Sequence, residues 1–165
     1  MNFQTLRLSA RPLSADDLDD LVALHLDAEV SRFLGGVRSA AVTAEYLATN
    51  LQHWDDHGFG LWVLRDHAGR FAGRAGVRWT ALEGVAEVEI AYAFHRAFWG
   101  RGLATEVAQA LVGLWRDGGF SASLVGIASA ENGASRGVLT KAGLVYERDA
   151  GFHGEPVVVY RLGRP

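Results

Sequence analysis

The sequence predicts an α+β fold, with a mixed, mostly antiparallel central sheet of about seven strands and helices on both faces. Three observations predict it. Apolar stretches at Leu61 to Arg65, Phe71 to Trp79 and Val85 to Phe94 follow one another across short turns, as in an antiparallel meander. A glycine turn, a helix-period stretch and another short apolar run follow, and strand-helix-strand order yields a parallel pair. The chain has 165 residues, 49% of them hydrophobic and five of them Trp, which is enough for the core of one domain spanning 1-165.

Each element has its own local reason. Thr5 to Leu13 alternates Leu6, Leu8 and Ala10, as a half-buried strand does. Ser14-Ala15-Asp16-Asp17 resembles a capping box with Asp in place of Glu, and it opens an apolar helix through Leu18, Leu21, Val22 and Leu24. A second helix runs from Ser39 or Thr43 to Trp54, with Leu47, Leu51 and Trp54 on one stripe, and stops at His57-Gly58-Phe59-Gly60. The meander turns at Asp66-His67-Ala68-Gly69 and again near Glu83-Gly84. Leu103 to Trp115 is amphipathic through Leu103, Val107, Leu111 and Leu114, and Gly118-Gly119 ends it. Ser123 to Ile127 reads as a short buried strand, Ser135 to Ala142 as a helix capped by Gly143. Strands near Leu144 to Arg148 and Pro156 to Leu162 close the chain, for an order β-α-α-β-β-β-α-β-α-β-β.

Composition excludes several classes of function. A formal net charge of −3 gives no footprint for nucleic acid or an anionic membrane. With no cysteine there is no disulfide, thiolate catalysis or cysteine-bound zinc. Met1 to Leu6 lacks a basic segment leading into an apolar run, and no stretch approaches the roughly 18 apolar residues of a membrane span, so the expected setting is cytoplasmic. Lys141 is the only lysine. His53 and His57 have i, i+4 spacing, but Trp54 stands where a zinc protease carries Glu and no third ligand is evident, so no metal is expected.

The most informative segment is Trp99-Gly100-Arg101-Gly102-Leu103-Ala104-Thr105-Glu106, directly before a predicted helix. A helix N-terminus has unpaired N–H groups and about half a positive charge. Glycines let a bulky anion approach that backbone, so the segment reads as a pyrophosphate cradle; a purely steric helix-start turn is the alternative.

Three segments together resemble the GCN5-related N-acetyltransferase superfamily, in its ribosomal-protein-alanine-acetyltransferase-like branch. They are Glu89-Ile90-Ala91-Tyr92, the segment Trp99 to Glu106, and Asn132-Gly133-Ala134-Ser135 with Lys141-Ala142-Gly143-Leu144. Gly58-Phe59-Gly60-Leu61-Trp62 and Gly73-Arg74-Ala75-Gly76 are weaker echoes. The resemblance implies an acetyl-CoA-dependent N-acetyltransferase with no metal, acting on an amine-bearing acceptor, a small molecule or a protein N-terminus, as a monomer or homodimer. A catalytically silent acetyl-CoA-binding sensor or scaffold is the alternative. A nucleotide-binding α/β domain is disfavoured by the missing Walker lysine and ribose-binding acid. A Tyr used as general acid elsewhere in the superfamily falls on Leu139, and Leu144 replaces a Phe.

The resemblance also implies roles. Backbone N–H groups from Trp99, Gly100, Arg101, Gly102, Leu103, Ala104 and Thr105 grip the cofactor. Arg101 lies nearby or is a solvated surface charge, and Trp99 is better read as a hydrophobic lid. Ala91, Tyr92 and Ala93 line the acetyl group, with a backbone N–H near Tyr92 to Phe94 facing the thioester oxygen. Glu89 is the first candidate for general base, through water, with Glu87 on the same strand face behind it; both solvating an open face is the alternative. Asn132 binds the pantetheine arm and Ser135 protonates the thiolate, or both cap a helix, and the roles are compatible. Lys141 serves a helix C-terminus. The acceptor side is expected from the first two helices, including Phe33-Leu34-Gly35-Gly36, and from the loop Asp149 to Glu155. The slight acidic balance favours cationic amines.

Overall fold

Hydrogen-bonded strands in the computed structural model, which describes residues 1–120 and 122–163, follow the order β1-β2-β3-β4-β5-β6-β8-β7. The strands are β1 (Phe3–Gln4), β2 (Leu8–Pro12), β3 (Leu61–Asp66), β4 (Phe71–Leu82), β5 (Val85–Phe94), β6 (Leu124–Ser129), β7 (Val145–Phe152) and β8 (Glu155–Leu162). The described helices are α1 (Leu18–Leu26), α2 (Ala28–Ser31), α3 (Ala40–His57), α4 (Leu103–Asp117) and α5 (Gly133–Lys141), with short 3-10 turns at Ala15–Asp17 and Arg96–Phe98. The sheet is mixed because β5 and β6 pair in parallel, while β1-β2, β2-β3, β3-β4, β6-β8 and β7-β8 are antiparallel. This is the predicted α+β class. No helix among the described residues is long and apolar enough to cross a membrane.

The chain divides into two compact units, and β4 and β5 each pass from one into the other. The first unit holds residues 1–76 and 92–103. Here the Ser14 N–H donates to the Asp17 carboxylate at 2.9 Å, and Arg11 grips that carboxylate with two nitrogens, at 2.8 and 2.6 Å. The cap therefore carries its own counterion. Ser39 caps α3 by accepting from the Val42 N–H, and Gly58 ends it in the left-handed conformation. Gly73 is a close approach: an added Cβ would lie 2.2 Å from the Ala93 carbonyl oxygen.

The second unit holds residues 77–91 and 104–165. Its core includes Leu82, Val125 and Val159, with Ile127, Ala150 and Phe152 packed on them. Along α4 the buried stripe is Val107, Ala108, Leu111, Val112 and Trp115. At a 3.6-residue period the position after Leu111 falls between 114 and 115. Trp115 takes the core, its Nε1 donating to the Ala122 carbonyl at 3.3 Å, and the expected Leu114 is only half-buried.

Several boundaries differ from the sequence reading. The single strand expected over Thr5 to Leu13 is β1 and β2, because Thr5 closes a turn: its N–H donates to the Leu8 carbonyl at 2.8 Å and its hydroxyl accepts from the Leu8 N–H at 3.1 Å. That gives eight strands. The one-turn α2 stands between the two expected helices, started by Asp27, whose carboxylate accepts from the Glu29 and Val30 N–H groups. Asp27 is also bonded to Arg96 at 2.7 Å, and together these contacts hold its carboxyl below the usual range against the opposing effect of desolvation. The loop expected over Asp149 to Glu155 is a hairpin: β7 runs to Phe152 and β8 starts at Glu155. His153 and Gly154 both have positive φ, 50° and 82°, the geometry that matches strand twist in a two-residue turn. A His-Gly pair is a weaker turn signal than Asn-Gly, so sequence reading passed over it.

Candidate active site

The turn before α4 is held by a hydrogen bond from the Trp99 indole and a long-range hydrogen bond from Arg7. Trp99 is 47% exposed, and its indole N–H donates to the Phe94 carbonyl at 2.8 Å, fastening the turn to the end of β5. Gly100 and Gly102 take positive φ, 70° and 74°, and no atom lies within 4 Å of where a Gly100 Cβ would stand. Positive φ is by itself a reason for glycine at both positions, and the space beside Gly100 leaves the backbone of the turn open. The Arg101 guanidinium lies 5.5 Å from the centre of the Phe98 ring, and the side chain lines a cleft of about 350 Å³ with Asp20, Arg70 and His95. Its carbonyl accepts from Arg7 Nη1 at 2.7 Å. Arg7, 94 residues away in sequence, brings a second cation to the turn. No local pattern in the sequence pointed to it.

On β5, Ala91, Ala93 and Phe94 are buried and Tyr92 is half-buried. The registered pairs between β5 and β6 are Val88↔Leu124 and Glu89↔Val125, while β6 continues against β8 as far as Ser129↔Val157. Leu103 is buried at the first position of α4, with Ala104 and Thr105 half-buried behind it.

Glu87 and Glu89 share a strand face, as alternation requires, but that face is not open to solvent. Glu89 is 6% exposed and accepts from Arg78 Nε at 3.2 Å. Glu87 accepts twice from Arg161, at 2.7 and 3.0 Å. Arg161 also bonds Glu147 at 2.7 Å and the Ser123 hydroxyl. The bonds to Glu87 and then Glu147 push the Arg161 guanidinium further above its ordinary range. Glu87 is thus a member of a structural network, while Glu89 has one described charged neighbour. The Glu89 pairing was accessible to sequence reasoning: counting equally back and forward from the Glu83-Gly84 turn puts Arg78 opposite Glu89.

Asn132 sits at the N-cap of α5, its side-chain oxygen accepting from the Ser135 N–H at 3.0 Å. The capping role therefore belongs to Asn132, and Ser135 contributes its backbone. The helix starts at Gly133, two residues before the expected Ser135, because Asn132 is the cap. Leu139 is buried against Gly126 of β6, where an added Cβ would come within 2.3 Å of a Leu139 methyl. The Lys141 carbonyl, one of the last of α5, accepts from Gln109 of α4 at 3.1 Å. The His53 and His57 rings lie with centres 4.6 Å apart and planes tilted by 55°, and His53 Nδ1 lies 2.8 Å from the Phe59 carbonyl oxygen.

A family model described as an acetyltransferase (GNAT) domain matches residues 7–145, so the chain belongs to the GNAT acetyltransferase family, an N-acyltransferase enzyme family. Solved structures share its fold. An acetyltransferase from Agrobacterium tumefaciens superposes with a TM-score of 0.86 at 23% identity, over 99% of this chain and 95% of that one. RimL, a ribosomal L7/L12 alpha-N-protein acetyltransferase in complex with coenzyme A, superposes with a TM-score of 0.81 at 18% identity, over 99% and 98%. An aminoglycoside acetyltransferase in complex with coenzyme A gives 0.78 at 18%, over 95% of each chain. At these identities the likeness is one of fold.

Proposed function

We propose that this chain transfers an acetyl group from acetyl-CoA to a primary amine by direct attack in a ternary complex. The observation that carries the reading is Glu89, a carboxylate only 6% exposed on the strand that leads to Tyr92, in a chain of the GNAT family. A buried carboxylate is costly to keep and is retained where it is paired or used. The coenzyme A seen in the RimL and aminoglycoside acetyltransferase structures supports the cofactor, and those two proteins' names leave open a protein N-terminal amine or a small-molecule amine.

Acetyl-CoA supplies the thioester carbonyl that the amine attacks, forming a C–N bond as the C–S bond breaks. The N–H groups of Trp99 to Ala104 hold the pyrophosphate, with Thr105 behind them and Arg7 adding charge. Ala91, Tyr92 and Ala93 line the acetyl end, where a main-chain N–H donates to the thioester oxygen. Glu89 takes the amine proton through a water, oriented by Arg78. Asn132 holds the pantetheine arm through its amide, and Ser135 gives a proton to the departing sulfur. A single domain suffices for all these roles.

Thiol release from acetyl-CoA on a panel of primary amines, with calorimetry of cofactor binding in parallel, tests the reading. Glu89→Gln is expected to lower turnover roughly 10²-fold while cofactor affinity holds. Wild-type turnover by Glu89→Gln across pH 6 to 9 would remove Glu89 from the chemistry.

A further inference from the structure

Three side chains of the first unit converge on Tyr46 of α3. His25 of α1 packs edge-on to its ring, centres 5.0 Å apart. Arg38, between α2 and α3, and Arg74, on β4, place their guanidinium carbons 5.0 and 5.1 Å from the ring centre. His25 is 0% exposed and Arg74 3%. Inside this cluster the Tyr46 hydroxyl, Arg38 Nη1 and His25 Nε2 are shut off from solvent and have no hydrogen-bond partner. The rest of each side chain is anchored: Arg38 Nη2 donates to the Leu34 carbonyl at 2.7 Å, and His25 Nδ1 lies 3.1 Å from the Thr43 hydroxyl. Burial, then the charges of Arg74 and Arg38, hold the His25 imidazole down to about 3, so it stays neutral. The groups that contact the ring thus include two cations and one neutral imidazole.

Buried polar atoms in native proteins find partners, so each one that lacks a protein partner calls for an explanation. Arg38 Nη1 and the Tyr46 hydroxyl are donors, and these two with the Arg74 guanidinium beside them suit a carboxylate, which only accepts. Both residues are half-buried, so access of a ligand to these donors requires a change of rotamer at each. The cluster adjoins the strand segment assigned above to the acetyl group. Arg74 follows Gly73, which lies against Ala93 and Phe94 of β5. His25 follows Leu24, which packs with Val30 and Ala93 in one core cluster.

We infer that the acceptor is an amine that also carries a carboxylate, docked on Arg38 and Tyr46 beside Arg74. This rests on the acetyltransferase reading. It also reverses the preference for cationic amines drawn from net charge, because the charge nearest the ligand outweighs the sum over the chain.

The test compares probes that differ in one carboxylate, bound to the coenzyme A-saturated protein and followed by calorimetry. The pairs are Ala-Gly against Ala-Gly amide, and Ser-Asp-Ala amide against Ser-Asn-Ala amide. In at least one pair the carboxylate member is expected to bind about tenfold tighter. Arg38→Gln is expected to reduce that advantage to about twofold, and Tyr46→Phe to reduce it by about threefold, with the neutral member's affinity and the melting temperature held. Tyr46→Phe keeps the test decisive if Arg38→Gln fails to fold, since it removes only a hydroxyl. Equal affinities in both pairs, no binding of either acid, or an advantage that survives both variants overturns the inference. Thiol release separates the two readings. Turnover of amines without carboxylate preference leaves the enzyme reading standing and ends this one. Tight binding of the acids with no turnover of any amine ends the enzyme reading and the acceptor role with it, and leaves only a carboxylate-binding site on Arg38 and Tyr46.

Discussion

The two helices that follow the sheet's parallel strands begin in opposite ways. α5 closes its own N-terminus, with Asn132 accepting from the Ser135 N–H at 3.0 Å. α4 begins behind Gly100 and Gly102, both at positive φ, with nothing within 4 Å of the missing Gly100 side chain. Every helix start presents N–H groups without helical partners. A side-chain oxygen satisfies one of them from within at α5. At α4 the glycines leave room for an acceptor from outside, and Arg7 bonds the Arg101 carbonyl at 2.7 Å and adds positive charge. The difference between the self-capped start of α5 and the anion site proposed at α4 thus lies less in the helix than in what fills the turn before it.

Filling the open turn is the strongest way to break this comparison. Gly102→Glu adds a carboxylate-bearing side chain whose Cβ would stand 3.8 Å from Arg7 Nη2. The substituted side chain then pairs with Arg7 and occupies the anion's place. Acetyl-CoA affinity is expected to fall at least about tenfold, or about 1.4 kcal/mol. Any side chain at a φ of 74° is strained, so Gly102→Ala is the control. Loss of melting temperature common to both variants reports strain; loss of affinity confined to Gly102→Glu reports the anion site. Unchanged affinity in calorimetry would end the pyrophosphate assignment.

The parts of this molecule legible in its sequence are those decided within a few residues. The α4 stripe as far as Leu111, the glycine turn and the Ser14 to Asp17 cap were readable because their partners are three or four positions away. The cap's partner Arg11 was not, although it grips Asp17 at 2.6 Å, because nothing in its local pattern marks the contact. Arg7 meets the turn across the fold, and the cluster around Tyr46 gathers residues from α1, the α2-α3 connection, α3 and β4. Such contacts depend on which side of each element faces inward, and periodicity alone leaves that choice open. Arg78 opposite Glu89 is intermediate: a correctly placed two-residue turn specifies the register. The reading of Glu87 and Glu89 as solvating an open face failed for a similar reason. Alternation puts two residues on one face but does not say what covers it, and here arginines do.

Emptying the closed helix start sharpens the comparison from the other side. Asn132→Ala removes the α5 cap and is expected to cost about 1 kcal/mol of stability. Cofactor affinity should fall with it if the same amide also holds the pantetheine arm. Chemical denaturation and calorimetry on one preparation read both. A stability loss with unchanged affinity leaves Asn132 a cap alone.

Ser135→Ala carries the smallest expected effect and the cleanest separation. The Asn132 oxygen accepts from the Ser135 main chain, at 3.0 Å, so removing the hydroxyl leaves that cap bond in place. A large fall in melting temperature is therefore not expected from loss of the cap. In the proposed reaction the hydroxyl acts on sulfur as charge develops there, when the thioester breaks. An interaction made mainly in the transition state changes the rate constant and leaves ground-state binding nearly intact. Turnover is expected to fall about fivefold, or about 1 kcal/mol, with acetyl-CoA affinity within about twofold of the parent. The loss should shrink when the acetyl donor carries a thiol of lower pKa, because a better leaving group needs less help from a proton donor. Equal losses with both donors would assign Ser135 to positioning. Unchanged turnover would leave both helix starts with structural or binding roles only, and the proton for the sulfur would have to come from solvent or another side chain.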